Sequence, residues 1–194
     1  GDGLLAVHSA IRMSEDDAAA VDDLGRVSLI LAPNRFHAAE APWYAERYPD
    51  ARVLVPGGGR AKLEPAYPRI DGTLEADWPL EIDSEIRRVC LAGMRMGGET
   101  VFLHVKSRTL VTTDMVFNLG DRPRGLFRIL MKLNRAYDRF GPTRLFLSAF
   151  VRDKVAFDAS VREVLEWDFD RVIMSHGEVV ETGGKAMMRE AFRA

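Results

Sequence analysis

Two short segments of this chain each place a polar side chain directly after a run of apolar and β-branched residues. The first segment is residues 109–114, TLVTTD, and the second is residues 171–177, RVIMSHG. Each run predicts a buried strand, and the polar groups that follow are Asp114 and His176. In an α/β sheet, ligands bind outside the carboxyl ends of the strands, where such side chains converge. A carboxylate and an imidazole delivered in this way predict a metal site.

The remaining sequence supplies further strand and helix signals and predicts a layered α/β protein. At the N-terminal end, strand 4–8, a helix from the N-cap Ser14 to Gly25, and strand 27–31 predict a βαβ unit with a parallel strand pair. The other expected strands are residues 52–55, 86–92, 100–105, 109–113 and 171–175. The other expected helices are residues 38–48, 124–137, 149–167 and 183–192. Residues 60–84 contain several prolines and are expected to be irregular.

Length and composition restrict the kind of protein. The 194 residues fit one domain over residues 1–194, and the net charge of −2 gives no general attraction to nucleic acid. The single cysteine, Cys90, excludes an internal disulfide and a cysteine-rich zinc site. No apolar run approaches the ~18 residues of a transmembrane span, and no signal peptide is evident, so we expect a cytoplasmic protein. Because the chain begins with Gly1 and not with methionine, we expect upstream residues to be missing.

All four histidines, including His8, are expected at or just after the end of a strand. His37 lies in a loop after a predicted buried strand, where α/β folds place functional groups, although Asn34 in the same loop is also typical of a simple turn. His104 ends an apolar run before a turn, so it is either a metal ligand or a surface hairpin residue. Any one of these histidines could equally be a core or surface residue, and only the set favours a site.

Three segments together resemble the metallo-β-lactamase superfamily, and in particular its DUF4336-type branch. They are residues 32–37 (APNRFH), 107–114 (SRTLVTTD) and 167–177 (WDFDRVIMSHG). The resemblance implies an αββα sandwich with a metal site along one edge of two sheets. It also implies that Asp114 corresponds to the metal-bridging aspartate of the family and His176 to its last metal histidine. His37 falls in the loop that normally carries the HxHxDH motif.

The HxHxDH motif itself is absent, because its loop here holds one histidine and no aspartate. Each zinc ion takes about four donors including water, so a two-zinc site needs the full ligand set. His37, Asp114 and His176, with His104 or His8 as a fourth ligand, would hold one zinc or iron ion at most. The resemblance therefore implies a mononuclear hydrolase of a small-molecule ester, lactone or phosphoester. The alternative is a metal-free, non-catalytic relative that uses the site for binding or structure.

Residues 122–144 are rich in basic side chains. Arg124, Arg128, Lys132 and Arg135 recur at spacings of three or four, which places them on one face of the predicted helix. Apolar residues fill much of the remaining surface. The segment is either the solvated face of a core-packed helix, or a contact for an anionic partner or a lipid surface, or a lid over an acidic substrate.

Overall fold

The computed structural model describes residues 3–67, 69–95 and 98–193. The chain divides into two compact units, Gly1–Trp78 and Pro79–Ala194, and each unit has a four-stranded sheet and an apolar core. The prediction of one domain over residues 1–194 remains a prediction. Gly1, where we expect a trimmed N-terminus, lies outside the described residues.

The N-terminal unit contains a parallel sheet with strand order β1-β2-β3-β4. Its elements are β1 (Leu4–His8), α1 (Glu15–Leu24), β2 (Arg26–Leu31), α2 (Ala41–Arg47), β3 (Arg52–Val55), α3 (Arg60–Leu63) and β4 (Gly72–Thr73). The parallel pairing of β1 with β2 across α1 confirms the predicted βαβ unit. Ser14 caps α1, as expected, because its hydroxyl accepts a hydrogen bond from the Asp17 amide at 3.2 Å.

Two sequence predictions for this unit were wrong in detail. The helix expected at residues 38–48 begins only at Ala41, because the preceding residues form a loop before the proline of the first turn. The stretch 60–84 is not irregular throughout, since it contains α3 and β4, and β4 extends the sheet beside β3. Elements of four and two residues are too short to produce a recognisable hydrophobic period.

The C-terminal unit contains a mixed sheet with strand order β5-β6-β7-β8. Its elements are β5 (Ile86–Cys90), β6 (Thr100–His104), β7 (Thr109–Thr112), α4 (Gly125–Leu133), α5 (Lys154–Glu166), β8 (Arg171–Met174) and α6 (Gly184–Ala191). The β5–β6 and β6–β7 pairs are antiparallel, whereas β7 and β8 are parallel. Parallel strands need a long crossover connection, and the chain between β7 and β8 supplies it with α4 and α5.

The core of the C-terminal unit lies between the sheet and helices α5 and α6. Helix α5 contacts β5, and α6 contacts β8. Leu110 of β7 and Val172 of β8 are fully buried in the same apolar cluster as Phe157 of α5 and Met188 of α6. Burial of these large side chains stabilises the sheet that presents Asp114 and His176.

The two long helices predicted in this unit are shorter than expected. The helix predicted at residues 124–137 ends at Leu133, because Arg135 adopts a left-handed backbone conformation with φ of 58°. The helix predicted at residues 149–167 begins at Lys154, where the Asp153 carboxylate accepts hydrogen bonds from two amides of the first turn. A separate π-helical turn, Phe146–Phe150, precedes it. No helix in the described parts of the chain has the length and apolar content needed to cross a membrane.

Candidate metal centre

The parallel pairing of β7 with β8 places Asp114 and His176 at the same edge of the sheet. Thr112 is paired with Met174, and the two functional residues each follow two positions later. Their side chains meet, with 2.9 Å between Asp114 Oδ1 and His176 Nε2. The side chains are 22% and 37% exposed, so the pair is open to solvent on one side. The structure thus brings together the two groups from which the sequence predicted a site.

A buried glutamate fixes the backbone that carries Asp114. Glu99 is 2% exposed, and its Oε1 accepts hydrogen bonds from the Thr112 hydroxyl at 2.6 Å and the Thr113 amide at 2.8 Å. Its Oε2 accepts a hydrogen bond from the Asp114 amide at 3.0 Å. Because one carboxylate accepts hydrogen bonds from three consecutive residues, it fixes the backbone conformation of that segment, and Glu99 thereby positions Asp114.

The pKa of Glu99 reflects opposing influences. Burial raises the pKa of its carboxyl above the ordinary value, and the negative charge of Asp114 raises it further. The hydrogen bonds from Thr112 and from the backbone amides favour the ionised form and oppose that rise. Since Thr112, Thr113 and Asp114 all donate to Glu99, its carboxyl matches its surroundings best as an acceptor.

Sequence analysis did not identify Glu99, although a signal is present. The residue directly precedes the apolar strand β6. A carboxyl group that enters the core there must find hydrogen-bond donors, because an unpaired buried charge is costly. The identity of those donors depends on the pairing of β6 with β7, which the order of residues does not reveal.

Phe117 and Gly177 hold the imidazole of His176 in place. The Phe117 ring stacks on it with 4.4 Å between centroids and 9° between planes. The Asn118 amide donates a hydrogen bond to the His176 carbonyl at 2.9 Å. Gly177 has a φ of +125°, and a Cβ there would lie 2.1 Å from the Asn118 oxygen. Only glycine permits this close approach of the two chain segments.

His37 belongs to the N-terminal unit and lies in the loop after β2. Asn34, which is 3% exposed, accepts hydrogen bonds through Oδ1 from the amides of Phe36 at 2.8 Å and His37 at 2.9 Å. The His37 ring is oriented by a 2.9 Å contact between its Nδ1 and the Ser9 hydroxyl. Ser9 directly follows β1, so this contact lies at the carboxyl ends of neighbouring parallel strands, as predicted for a functional loop.

His8 lies at the end of β1 in the same unit, where it is paired with Leu31 of β2. Burial lowers the pKa of His8 from 6.5 to about 4, and the neighbouring His37 contributes to this shift. His8 is therefore neutral at physiological pH. A neutral imidazole keeps one nitrogen lone pair, which is the state that a metal ligand requires.

His104 lies at the other end of the sheet in the C-terminal unit. Because β6 and β7 are antiparallel, His104 is paired with Thr109 at the beginning of β7, whereas Asp114 follows the end of β7. Its Nδ1 contacts the Ser107 hydroxyl at 2.7 Å in the exposed turn. The predicted role of His104 as a ligand beside Asp114 and His176 thus has no geometric support, and the surface hairpin interpretation describes its position.

The geometry of Asp114 and His176 is compatible with a bound metal ion. Two donor atoms about 2.0–2.1 Å from a tetrahedral zinc ion lie about 3.3 Å from each other. The observed separation is 2.9 Å, so a small outward movement of either side chain would accommodate the ion. Both donors are of types that bind zinc and iron, and the fixed Asp114 backbone and the stacked His176 ring pre-organise them.

Several solved proteins, among them metallo-β-lactamases, are similar in structure to this chain. BLEG-1, a B3 metallo-β-lactamase, has a TM-score of 0.61 and 16% identity, and the match covers 96% of this chain and 87% of BLEG-1. The metallo-β-lactamase from Pontibacter korlensis has a TM-score of 0.61 and 10% identity, with coverage of 98% and 82%. Rubredoxin oxygen:oxidoreductase from Desulfovibrio gigas has a TM-score of 0.57 and 12% identity, with coverage of 90% and 45%.

Sequence comparison adds no further relationship. No protein-family model matches the chain, and no curated protein matches it. At 10–16% identity, the structural similarity establishes the arrangement of the chain and not its activity. The similarity nevertheless extends over nearly the whole sequence and confirms the fold expected from the three resembling segments. The chain therefore has the metallo-β-lactamase fold.

Proposed function

We propose that this protein is a metal-dependent hydrolase whose single zinc or iron ion is held by His37, Asp114 and His176. The observation that supports the proposal most strongly is the contact between Asp114 Oδ1 and His176 Nε2, at the carboxyl ends of two parallel strands. A carboxylate and an imidazole at that position of this fold are suited to a metal. Assignment to the DUF4336-type branch is part of the same proposal.

His37 is proposed as the third ligand because of its loop and its orientation. Its loop corresponds to the one that carries the HxHxDH motif in the family. Together with Asp114 and His176 it would complete a set of two imidazoles and one carboxylate. The contact of its Nδ1 with Ser9 is typical of ligating histidines, whose second nitrogen is oriented by a polar partner, so Nε2 would be the ligand atom.

A bound divalent ion would supply Lewis acidity and lower the pKa of a water molecule toward neutrality. The chain would contribute orientation. Glu99 would hold Asp114 at a fixed distance from the strand ends, and Phe117 would restrict rotation of the His176 ring. We propose a small substrate with one hydrolysable ester, lactone or phosphoester bond.

Equilibrium dialysis against zinc and iron tests the ligand set. We expect one ion per chain in the wild type, and a loss of affinity greater than about a hundredfold in Asp114→Ala, His176→Ala and His37→Ala. His104→Ala is the matched control, since this histidine is exposed at the opposite end of β7. Unchanged affinity in the three ligand variants, or an equal loss in the control, would contradict the proposal.

A second candidate function is a metal-free, non-catalytic role, and the direct contact of Asp114 with His176 favours it. A carboxylate and an imidazole at 2.9 Å satisfy each other as acceptor and donor without an ion. Hydrolysis of p-nitrophenyl acetate or bis(p-nitrophenyl) phosphate separates the two candidates. Turnover that depends on added metal and disappears in His176→Ala would reject the non-catalytic role.

A further inference from the structure

Helix α4 exposes nearly all of its apolar side chains. No residue of Gly125–Leu133 is buried, although the helix contains five large apolar residues that are between 49% and 72% exposed. These residues are Leu126, Phe127, Ile129, Leu130 and Leu133. The interpretation of residues 122–144 as a helix whose apolar side packs on the core was therefore wrong. A concentration of exposed apolar residues of this kind marks an interaction surface.

The apolar residues form one continuous face. At about 100° per residue, they and Met131 cover an arc of roughly 200°, and Arg128 and Lys132 share the remaining side. Both cations approach the same aromatic ring, since Arg128 Cζ lies 5.0 Å and Lys132 Nζ 5.1 Å from the centroid of Tyr137. The helix is thus divided into a wide apolar face and a narrow basic face.

The chain after α4 holds the helix in a fixed position. The side-chain oxygen of Asn134 accepts a hydrogen bond from the Leu145 amide at 2.8 Å. The backbone carbonyl of Asn134 accepts a hydrogen bond from the Arg144 amide at 2.9 Å. Ala136 is fully buried, and the Asp138 amide donates to the Gly120 carbonyl at 2.7 Å. The apolar face is therefore presented by an anchored element of the C-terminal unit.

The charge around α4 is strongly positive. Residues 121–144 contain seven lysines and arginines and two aspartates, a net charge of five positive, whereas the whole chain carries −2. Arg124 precedes the helix, and Arg135 and Arg139 follow it, so basic groups flank the apolar face at both ends. Arg122, which also precedes the helix, is paired with the Glu178 carboxylate. Basic residues beside an exposed apolar helical face are the composition of helices that lie in a membrane interface.

We propose that α4 docks this protein on an anionic lipid surface, with its apolar face in the headgroup and acyl boundary and its basic residues on the lipid phosphates. The proposal does not depend on the metal site. A second copy of the chain fits this face less well, because a two-fold contact would bring like charges together. A helix of nine residues, about 14 Å long and about 10 Å across, also presents a face of only roughly 140 Å², well below the roughly 800 Å² that each partner buries in a stable dimer.

Co-sedimentation of the full chain with vesicles tests the proposal. We expect binding to phosphatidylcholine vesicles that contain about 30% phosphatidylglycerol, and weaker binding to pure phosphatidylcholine or in high salt. Leu126→Ser/Leu130→Ser should lower the partition coefficient about a hundredfold, because two side chains lose their transfer from water. Arg128→Gln/Lys132→Gln should lower it about 25-fold, at about fivefold for each cation.

Matched variants control for general changes of the surface. Leu24→Ser/Leu80→Ser removes two leucines that are each 73% exposed elsewhere, and Lys106→Gln/Arg162→Gln removes two exposed cations. Neither control should alter binding. Absence of binding to the anionic vesicles, or equal losses in α4 and control variants, would overturn the proposal. A dimer in sedimentation velocity that Leu126→Ser/Leu130→Ser dissociates, without vesicle binding, would assign the face to a second copy.

Discussion

Replacement of Glu99 by glutamine tests whether this residue holds the Asp114 segment in place. The amide retains one acceptor oxygen, which can keep the bonds from Thr112 and Thr113, but its NH₂ group would face the Asp114 amide, now 3.0 Å from Oε2. The backbone N–H of Asp114 then loses its acceptor and faces the NH₂ group of the glutamine, which is also a donor. An unsatisfied buried group costs about 1–3 kcal/mol, so we expect Glu99→Gln to lower the free energy of unfolding by about 2 kcal/mol.

Urea denaturation followed by circular dichroism measures this loss, and thermal unfolding should show a decrease of about 4–8 °C in midpoint. Thr113→Ser is a suitable control, because it leaves the backbone amide that donates to Glu99. The metal affinity of Glu99→Gln should also fall, by about 10–100-fold, since Asp114 loses its support. A change in unfolding free energy below about 0.5 kcal/mol, together with unaltered metal affinity, would show that Glu99 does not hold the Asp114 segment.

The remaining predictions concern His8, Gly177 and Asn34. The pKa of His8 falls from 6.5 to about 4 on folding, so the stability that neutral His8 contributes is complete above pH 6.5 and is lost as the pH decreases to 4. Urea titrations should show that the free energy of unfolding decreases by about 3 kcal/mol over that range. The decrease should be smaller in His8→Asn. Gly177→Ala should destabilise the protein by more than about 3 kcal/mol and Gly183→Ala by about 1 kcal/mol. Both glycines have positive φ, but of the two only Gly177 has backbone atoms within 4 Å of the position that a Cβ would take. Asn34→Ala should weaken metal binding measurably by calorimetry, because the His37 amide loses its acceptor.

The strand ends that carry Asp114 and His176 could be predicted because each depends on a local pattern, and the two helices predicted between them favour a parallel pair. Two apolar runs define two strands, and parallel strands end at the same edge of a sheet. The βαβ unit at the N-terminal end was predictable for the same reason, since Ser14 and Gly25 mark the limits of α1. These signals are contained in short segments and need no knowledge of distant contacts.

The sequence left His104 as either a metal ligand or a surface hairpin residue, because its position depends on strand direction. It follows an apolar run just as Asp114 does, but β6 runs antiparallel to β7, which reverses the edge at which the run ends. The role of Glu99 depends on the same pairing, through bonds to Thr112 and Thr113. The apolar pattern of a sequence indicates where a strand ends, but it does not fix the direction of the neighbouring strand.

The exposure of α4 was missed for a different reason. Its apolar residues are of the types that normally fill a core, and sequence periodicity cannot distinguish a face that packs on the protein from one that packs on something else. The basic residues at 122–144 were visible in the sequence, but only the structure shows that the apolar face beside them is open.

Anomalous diffraction at the zinc absorption edge, from crystals of the full chain grown with zinc, tests the proposed metal site itself. We expect a single strong anomalous peak within about 2.0–2.2 Å of Asp114 Oδ1 and His176 Nε2, with His37 Nε2 as a third ligand. Zinc bound away from Asp114 and His176, or no anomalous peak beside them at a saturating zinc concentration, would contradict the proposed site.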